Sequence, residues 1–333
     1  MTNLLNIILK PSYYRLRDDN FFLIFAAKLT QLNRKDDTII WAIIACLLWS
    51  TVYAGIKIGL QYDTPLHFAG IRFIISGLMI LPFTVKPSSY FRILKEHRKI
   101  VLWVLLLQVL VNYILFYIGM DMVPGALGAV IVGSQPLVTA LVASMMHKED
   151  PLTMRKMVTI ILGITGVVLI SAGRQALRLG GAIELLGVIL ILGANIATAT
   201  SNVMVSLKSK GINPLVLSSA SFLAGGVIIF LVSMPLEGVK HYNMPSQYWL
   251  TLLWLSFVSA FAFSLWFRLL QRPDVKVSEL NLWKFIIPVV GAILSWILVP
   301  GENPEWLTIS GMIIITASLI GFYKNGRKPV AGK

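Results

Sequence analysis

Residues 125–146 read GALGAVIVGSQPLVTALVASMM, and residues 277–298 read VSELNLWKFIIPVVGAILSWIL. Laid over one another at a shift of 152, the separation of Pro136 from Pro288, they also bring Val138 onto Val290 and Ala140 onto Ala292. Just beyond their ends Asp150 falls on Glu302. Apolar segments match one another easily, so the two prolines carry most of the weight. Each stretch is long and apolar enough to cross a hydrocarbon core of about 30 Å as a helix. Outward from them, the same shift superposes the apolar runs 100–120, 125–146 and 155–172 on 248–269, 277–299 and 305–323 without a gap. Further runs at 38–58, 66–85, 184–207 and 214–235 complete the pattern. The fold class this predicts is an all-α integral membrane protein of about ten transmembrane helices.

Composition agrees. With 333 residues, 56% hydrophobic, 13% charged and a mean hydropathy of +0.77, the chain has too little polar surface to cover a water-soluble globule. The formal charge of +14 would suit nucleic acid, but its placement excludes that reading. Fourteen Lys and Arg lie in the N-terminal tail, the 86–99 loop and the 148–156 loop, and nine more, from Lys208 to Lys333, share their side. Only Arg174, Arg178 and Lys240 lie opposite, and Lys57, Arg72 and Lys284 fall within spans. The asymmetry predicts that both termini are cytoplasmic, with the basic excess facing anionic lipid. Cys46 is the single cysteine, so no intramolecular disulfide or thiolate cluster can form. His67, His97, His147 and His241 lack metal-ligand spacing; no metal and no cofactor is expected.

The repeat sets the organisation. Five helices per half is an odd number, so a duplicated unit must enter the membrane from opposite sides, as in secondary transporters with inverted repeats. The expected division is a cytoplasmic tail at 1–37, a first repeat at 38–172, a connecting loop at 173–183, a second repeat at 184–323 and a basic tail at 324–333. The 1–37 segment carries no secretory signal pattern; its aromatic and basic mixture fits an amphipathic surface segment and a disordered tail alike. Pro136 and Pro288 fall at mid-membrane depth, where the backbone groups a proline frees are tolerated only beside protein or a cavity. They are the expected hinge or kink positions.

Several segments together resemble the EamA-type family of the drug/metabolite transporter superfamily. Trp49-Ser50 followed by Lys57-Ile58-Gly59-Leu60, Arg72-Phe73 after Pro65, the Gly125–Met146 run quoted above and Gly166-Val167-Val168-Leu169 carry the likeness. Pro288–Leu298 and Gly311–Gly321 repeat it more weakly. The resemblance implies a ten-helix inverted-repeat carrier in the bacterial cytoplasmic membrane that exports small metabolites such as amino acids. The N-terminal extension and Lys284, within NLWKFIIP, depart from the family pattern.

Charges and polar groups deep in the spans are the candidate substrate-binding residues. A charge well inside hydrocarbon costs about 2.5–3.5 kcal/mol unless it faces a cavity or a partner. Lys284 stands one helical turn before Pro288 and three residues after Asn281, so these three form one stripe that can line a path and hold a carboxylate. Snorkelling, or pairing with Glu279, is the alternative. Trp49, Tyr53 and Lys57 recur at spacings of four, an aromatic face ending in a cation, though Lys57 near its helix end can snorkel. Arg72 is expected in an anchoring ion pair with Asp63 or Asp121. Gln108 and Asn112, and Asn195, Thr198 and Asn202, make polar stripes that either bond neighbouring helices or line a cavity. No carboxylate is predicted near the midplane, which leaves a proton relay unsupported.

The function these features predict is a secondary transporter whose partners are the bilayer and a small-molecule substrate; oligomeric state is not encoded legibly. A non-transporting sensor or scaffold is the alternative. An integral membrane enzyme would need a convergent nucleophile and base or an acidic metal site, and a Schiff-base photoreceptor using Lys284 fits poorly with a ten-span repeat.

Overall fold

The computed structural model describes residues 35–123, 128, 131–172, 181–238, 244–298 and 304–326; the N-terminal tail to residue 34, most of the 173–183 connection and Glu302 lie outside these. The side chains of Tyr53, Lys57 and Asp121 also lie outside the described part. Among the described residues every regular element is helical and no strand occurs. In chain order the helices are α1 (Lys35–Ser50), α2 (Val52–Gly59), α3 (Pro65–Ile80), α4 (Pro87–Glu96), α5 (Arg98–Val104) and, after a π-helical segment at Leu105–Val111, α6 (Asn112–Asp121). They continue as α7 (Gln135–Met146), α8 (Met154–Ala172), α9 (Ala182–Lys208), α10 (Pro214–Glu237), α11 (Ser246–Leu270) and α12 (Val277–Leu282). A 3₁₀ turn at Trp283–Phe285 leads into α13 (Ile286–Leu298), and α14 (Trp306–Gly326) closes the chain.

Eight of the resulting helical stretches are long and apolar enough to cross a membrane, and two shorter apolar helices, Asp37–Ser50 and Ile131–Met146, stand where the first and fourth spans are expected. Proline starts α3, α4 and α10, where its missing N–H belongs to the turn that has no intrahelical acceptor. Asn213 adds a cap to α10, its side chain accepting from Leu215 N at 2.9 Å. The outer surface is greasy: Ile183, Ile189 and Ile196 along α9 are 70, 56 and 51% exposed, a face suited to lipid rather than water.

The helices pack in a pattern with its own symmetry. α3 packs chiefly on α10, and α8 on α14; α9 packs on α6 as α11 packs on α1 and α2; α7 packs on α9 as α13 packs on α1; and α7 meets α12. Exchanging each expected span for the one five places along turns this set of contacts into itself. Three of these contacts are self-paired, and two of them, α3 on α10 and α8 on α14, are made through glycine. A Cβ on Gly226 would lie 2.6 Å from the Ile74 amide nitrogen of α3, and one on Gly311 would lie 2.4 Å from the Gly166 carbonyl oxygen of α8. Only hydrogen fits there.

Polar ties hold the helix ends. Glu237, ending α10, accepts from Leu66 N at 2.9 Å and His67 N at 3.0 Å, so a carboxylate meets the positive end of α3. Asp63 accepts from Tyr248 Oη at 2.7 Å and from Thr64 N at 2.7 Å, and lies 2.8 Å from His67 Nδ1. Elsewhere Asp150, almost wholly buried between α7 and α8, accepts from Lys156 Nζ and from the backbone and hydroxyl of Ser278 at the start of α12. Burial alone would raise the Asp150 carboxyl, but the bonds from Lys156 and Ser278 outweigh it and hold the group below the usual carboxylate range.

Candidate functional site

The two stretches whose alignment reveals the repeat are both broken next to their prolines. Helix runs through 131–133, turns at Ser134 and restarts as α7, with Pro136 in its first turn; α12 stops at Leu282, passes through the 3₁₀ turn and restarts as α13, with Pro288 in its first turn. The prolines therefore open second half-helices rather than bend continuous ones. The first break is repaired from another helix: the Ile131 carbonyl accepts from Ser134 Oγ at 2.6 Å and from Asn195 Nδ2 of α9 at 2.7 Å.

At these breaks the stretches meet. Lys284 Nζ, in the 3₁₀ turn, donates to Gln135 Oε1, beside Pro136, at 3.0 Å. The ammonium also stands 5.4 Å from the Trp49 ring centre and 4.9 Å from that of Trp266, both within cation–π range. Trp49 in turn packs edge-on against Trp266 and Phe263, at 5.1 and 5.2 Å between ring centres.

These groups enclose a cavity of about 150 Å³. Its polar wall is Arg72, Gln108, Asn112, Gln135, Asn195, Thr198, Asn202 and Lys284, and its apolar wall includes Trp49, Tyr113, Phe116, Phe263, Trp266 and Ile287. Gln108 projects from the π-helical segment, a distortion that often marks functional positions in helices. Asn112 Oδ1 accepts from Thr198 Oγ1 at 2.8 Å, joining the two polar stripes across α6 and α9. Arg72 is 2% exposed and donates from Nε and Nη2 to Ser259 Oγ of α11, at 3.0 and 2.9 Å. Among the described residues lining the cavity there is no Asp or Glu. A larger crevice, of about 450 Å³, lies among Thr38, Arg155, Lys276, Glu279 and Phe322 and holds none of the candidate residues.

Of the sequence candidates, Trp49, Arg72, Gln108, Asn112, Asn195, Asn202 and Lys284 line one cavity. Asn281 is not among its lining residues: fully buried behind the wall, it donates to the Val277 carbonyl at 2.9 Å and faces Asn202 Nδ2 at 3.4 Å. Three residues apart across the 3₁₀ turn, Asn281 and Lys284 keep to one side of the stretch, but the Asn281 amide is tied to the Val277 carbonyl and to Asn202 behind the wall, while the longer Lys284 side chain reaches the cavity. Arg72 does not pair with Asp63, which is engaged by Tyr248, Thr64 and His67 more than two helical turns away along the chain; Ser259 takes that place. Glu279 pairs with Lys276 at 3.8 Å and not with Lys284. Tyr53, Lys57 and Asp121 are on described helices, but their side chains are outside the described part. Gln135, Phe263 and Trp266 were not foreseen; the signal for Gln135 was its place against the proline that aligns with Pro288.

A bundle of apolar helices with broken segments and a polar, aromatic-walled cavity between them defines a multi-pass membrane protein of the transporter kind. The chain belongs to the EamA-like transporter family, whose model matches residues 37–172 and again 185–324. It is 27% identical to the uncharacterized transporter YvbV of Bacillus subtilis over 82% of this chain and 87% of that one. Against the uncharacterized inner membrane transporter YedA of Escherichia coli K12 the identity is 28%, over 85% and 91%. A Salmonella typhimurium protein named "Probable amino-acid metabolite efflux pump" is 27% identical over 86% of this chain and 94% of its own. A solved structure described only as "Crystal structure of protein" superposes with a TM-score of 0.70 at 17% identity, over 88% of this chain and 97% of that one; the likeness is one of fold.

Proposed function

We propose that the protein is a secondary transporter of the bacterial cytoplasmic membrane that exports small amphipathic metabolites, amino acids or related organic anions, by alternating access. Ten spans form two inverted five-helix repeats, 38–172 and 184–323, joined by residues 173–183, with both termini cytoplasmic. The contact pattern that maps onto itself five spans along and the double family match support this arrangement. In it the Asp150 tie closes the inner end of the bundle and the Asp63–Glu237 ties the outer end.

One observation carries the reading: Lys284 and Arg72 both face a cavity at the broken helices, with aromatic walls and no lining carboxylate among the described residues. Two cations so deep are costly unless something anionic visits them. The name of the Salmonella relative supports export of amino-acid metabolites, and that of YedA supports the inner membrane. The test compares metabolites in medium and cytosol of cells producing wild type, Lys284→Ala or empty vector. A class of carboxylate-bearing metabolites should leave only wild-type cells while the variant inserts normally. If no pool differs between wild type and vector, the export reading is wrong.

A further inference from the structure

The crevice of about 450 Å³ is formed by the start of α1, the start of α8, α12 with the residues leading into it, and the end of α14. In the proposed orientation these are all cytoplasmic ends. The crevice reaches the surface at Asp274 and Lys276, whose side chains are 49 and 47% exposed, and its lining continues inward to the buried Thr38, Leu280 and Phe322. The Arg155 guanidinium lies 4.0 Å from the centre of the Phe322 ring, and Trp283 meets Tyr323 edge-on at 6.3 Å between ring centres. A cation and aromatic faces thus share one lining. Its carboxylates are engaged by neighbours in sequence, Asp274 with Arg272 at 3.4 Å and Glu279 with Lys276 at 3.8 Å. Among the described residues no carboxylate lies within ion-pair distance of Arg155. A guanidinium in that position is well shaped to take a carboxylate through two parallel N–H bonds.

The crevice and the central cavity have no lining residue in common, yet they adjoin. Trp283 lines the crevice, and Lys284, the next residue of the same 3₁₀ turn, lines the cavity. One backbone step, about 3.8 Å between α-carbons, separates a residue of one chamber from a residue of the other. The partition is therefore α12 with its turn, the shorter half of the stretch broken before Pro288. It is pinned at Ser278 by Asp150, which also holds Lys156, the residue after Arg155. Releasing that tie frees the wall between the two chambers.

We propose, resting on the export reading above, that the crevice is a second binding site, where amphipathic carboxylates load from the cytoplasm before they pass the Trp283–Phe285 turn into the central cavity. Arg155 takes the carboxylate, and Trp283 with the rings beside it takes the apolar part.

Thiol protection reads this site without any transport step. Val275 lines the crevice, is partly exposed and carries no charge, so Val275→Cys in the full chain places a thiol there and keeps every charge of the lining. Cys46 is buried and serves as the control, since it labels only if the bundle opens. A membrane-impermeant maleimide should label the variant in inside-out membrane vesicles and not in right-side-out ones. Phenylacetate should slow the labelling at a concentration about tenfold below that needed for 2-phenylethanol, which keeps the ring and lacks the charge. Adding Lys284→Met should leave this protection in place, because the cavity is a separate chamber. Adding Arg155→Gln should weaken it about tenfold, and Arg155→Lys should restore part of it. Equal protection by the two probes, no protection, protection that vanishes with Lys284→Met, or labelling from the outer face alone overturns the proposal. Labelling that begins only after delipidation in detergent also overturns it, by placing lipid in the crevice. If cells export carboxylates in a Lys284-dependent way while phenylacetate gives no protection, the export reading stands and this inference falls. If phenylacetate protects and cells export nothing, the export reading falls and the loading role falls with it.

Discussion

Asp150 is the residue whose chemistry makes the sharpest prediction about stability. Among the described residues its carboxylate and the Pro151 carbonyl are the partners of the Lys156 side chain, and both side chains are at most 2% exposed. Asp150→Asn leaves a buried ammonium without its counter-charge and is expected to cost about 3–5 kcal/mol. Thermal unfolding of the purified variant in detergent checks this. The pH dependence has a definite sign: a carboxyl depressed in the native state contributes all of its stability above the ordinary aspartate value of about 3.9. That contribution disappears as pH falls through the lower native value. The acid-induced loss should therefore be smaller in Asp150→Asn than in wild type. Lys284 was legible in the sequence because a lone cation in NLWKFIIP violates the composition around it. The partners of Arg72 and Lys284 were not, because Ser259 and Gln135 lie 187 and 149 residues away and neither residue type stands out locally.

Helical elements were legible wherever apolar runs are long, and least so where a helix is interrupted. The breaks at Ser134 and at Trp283–Phe285 keep the hydropathy of a continuous span, so only the aligned prolines hinted at them. That Lys284 reaches the cavity while Asn281 is spent behind its wall depends on partners in other helices, Gln135 and Asn202, that hydropathy does not carry. Close helix crossings are similarly silent in composition, since a glycine pressed against a neighbouring helix and one in open space read alike. Gly311 and Gly321 on α14 separate the two cases. A methyl on Gly311 meets the α8 backbone, whereas one on Gly321 meets nothing within 4 Å. Gly311→Ala should lose about 1–3 kcal/mol to overpacking. Gly321→Ala should be neutral or stabilising by up to about 1 kcal/mol through helix propensity. Melting curves of the two variants, compared in one detergent, measure the difference; equal stabilities would contradict the crossing described.

At the scale of the whole molecule, the repeat in sequence and the self-mapping contacts in space point the same way, and the cavity sits where the two broken stretches meet. That placement turns seven separately chosen polar, charged and aromatic candidates into neighbours, which no stretch of sequence read alone could establish. It also gives the proposed transport a physical basis: a site at opened helices, with ties at the ends of the bundle that would exchange in an alternating-access cycle. The most direct test loads proteoliposomes containing the purified chain with a mixed extract of bacterial metabolites and assays what leaves. Small carboxylates should be released selectively, and their release should be abolished or strongly reduced in vesicles carrying Lys284→Met. Release no different from protein-free liposomes would contradict it.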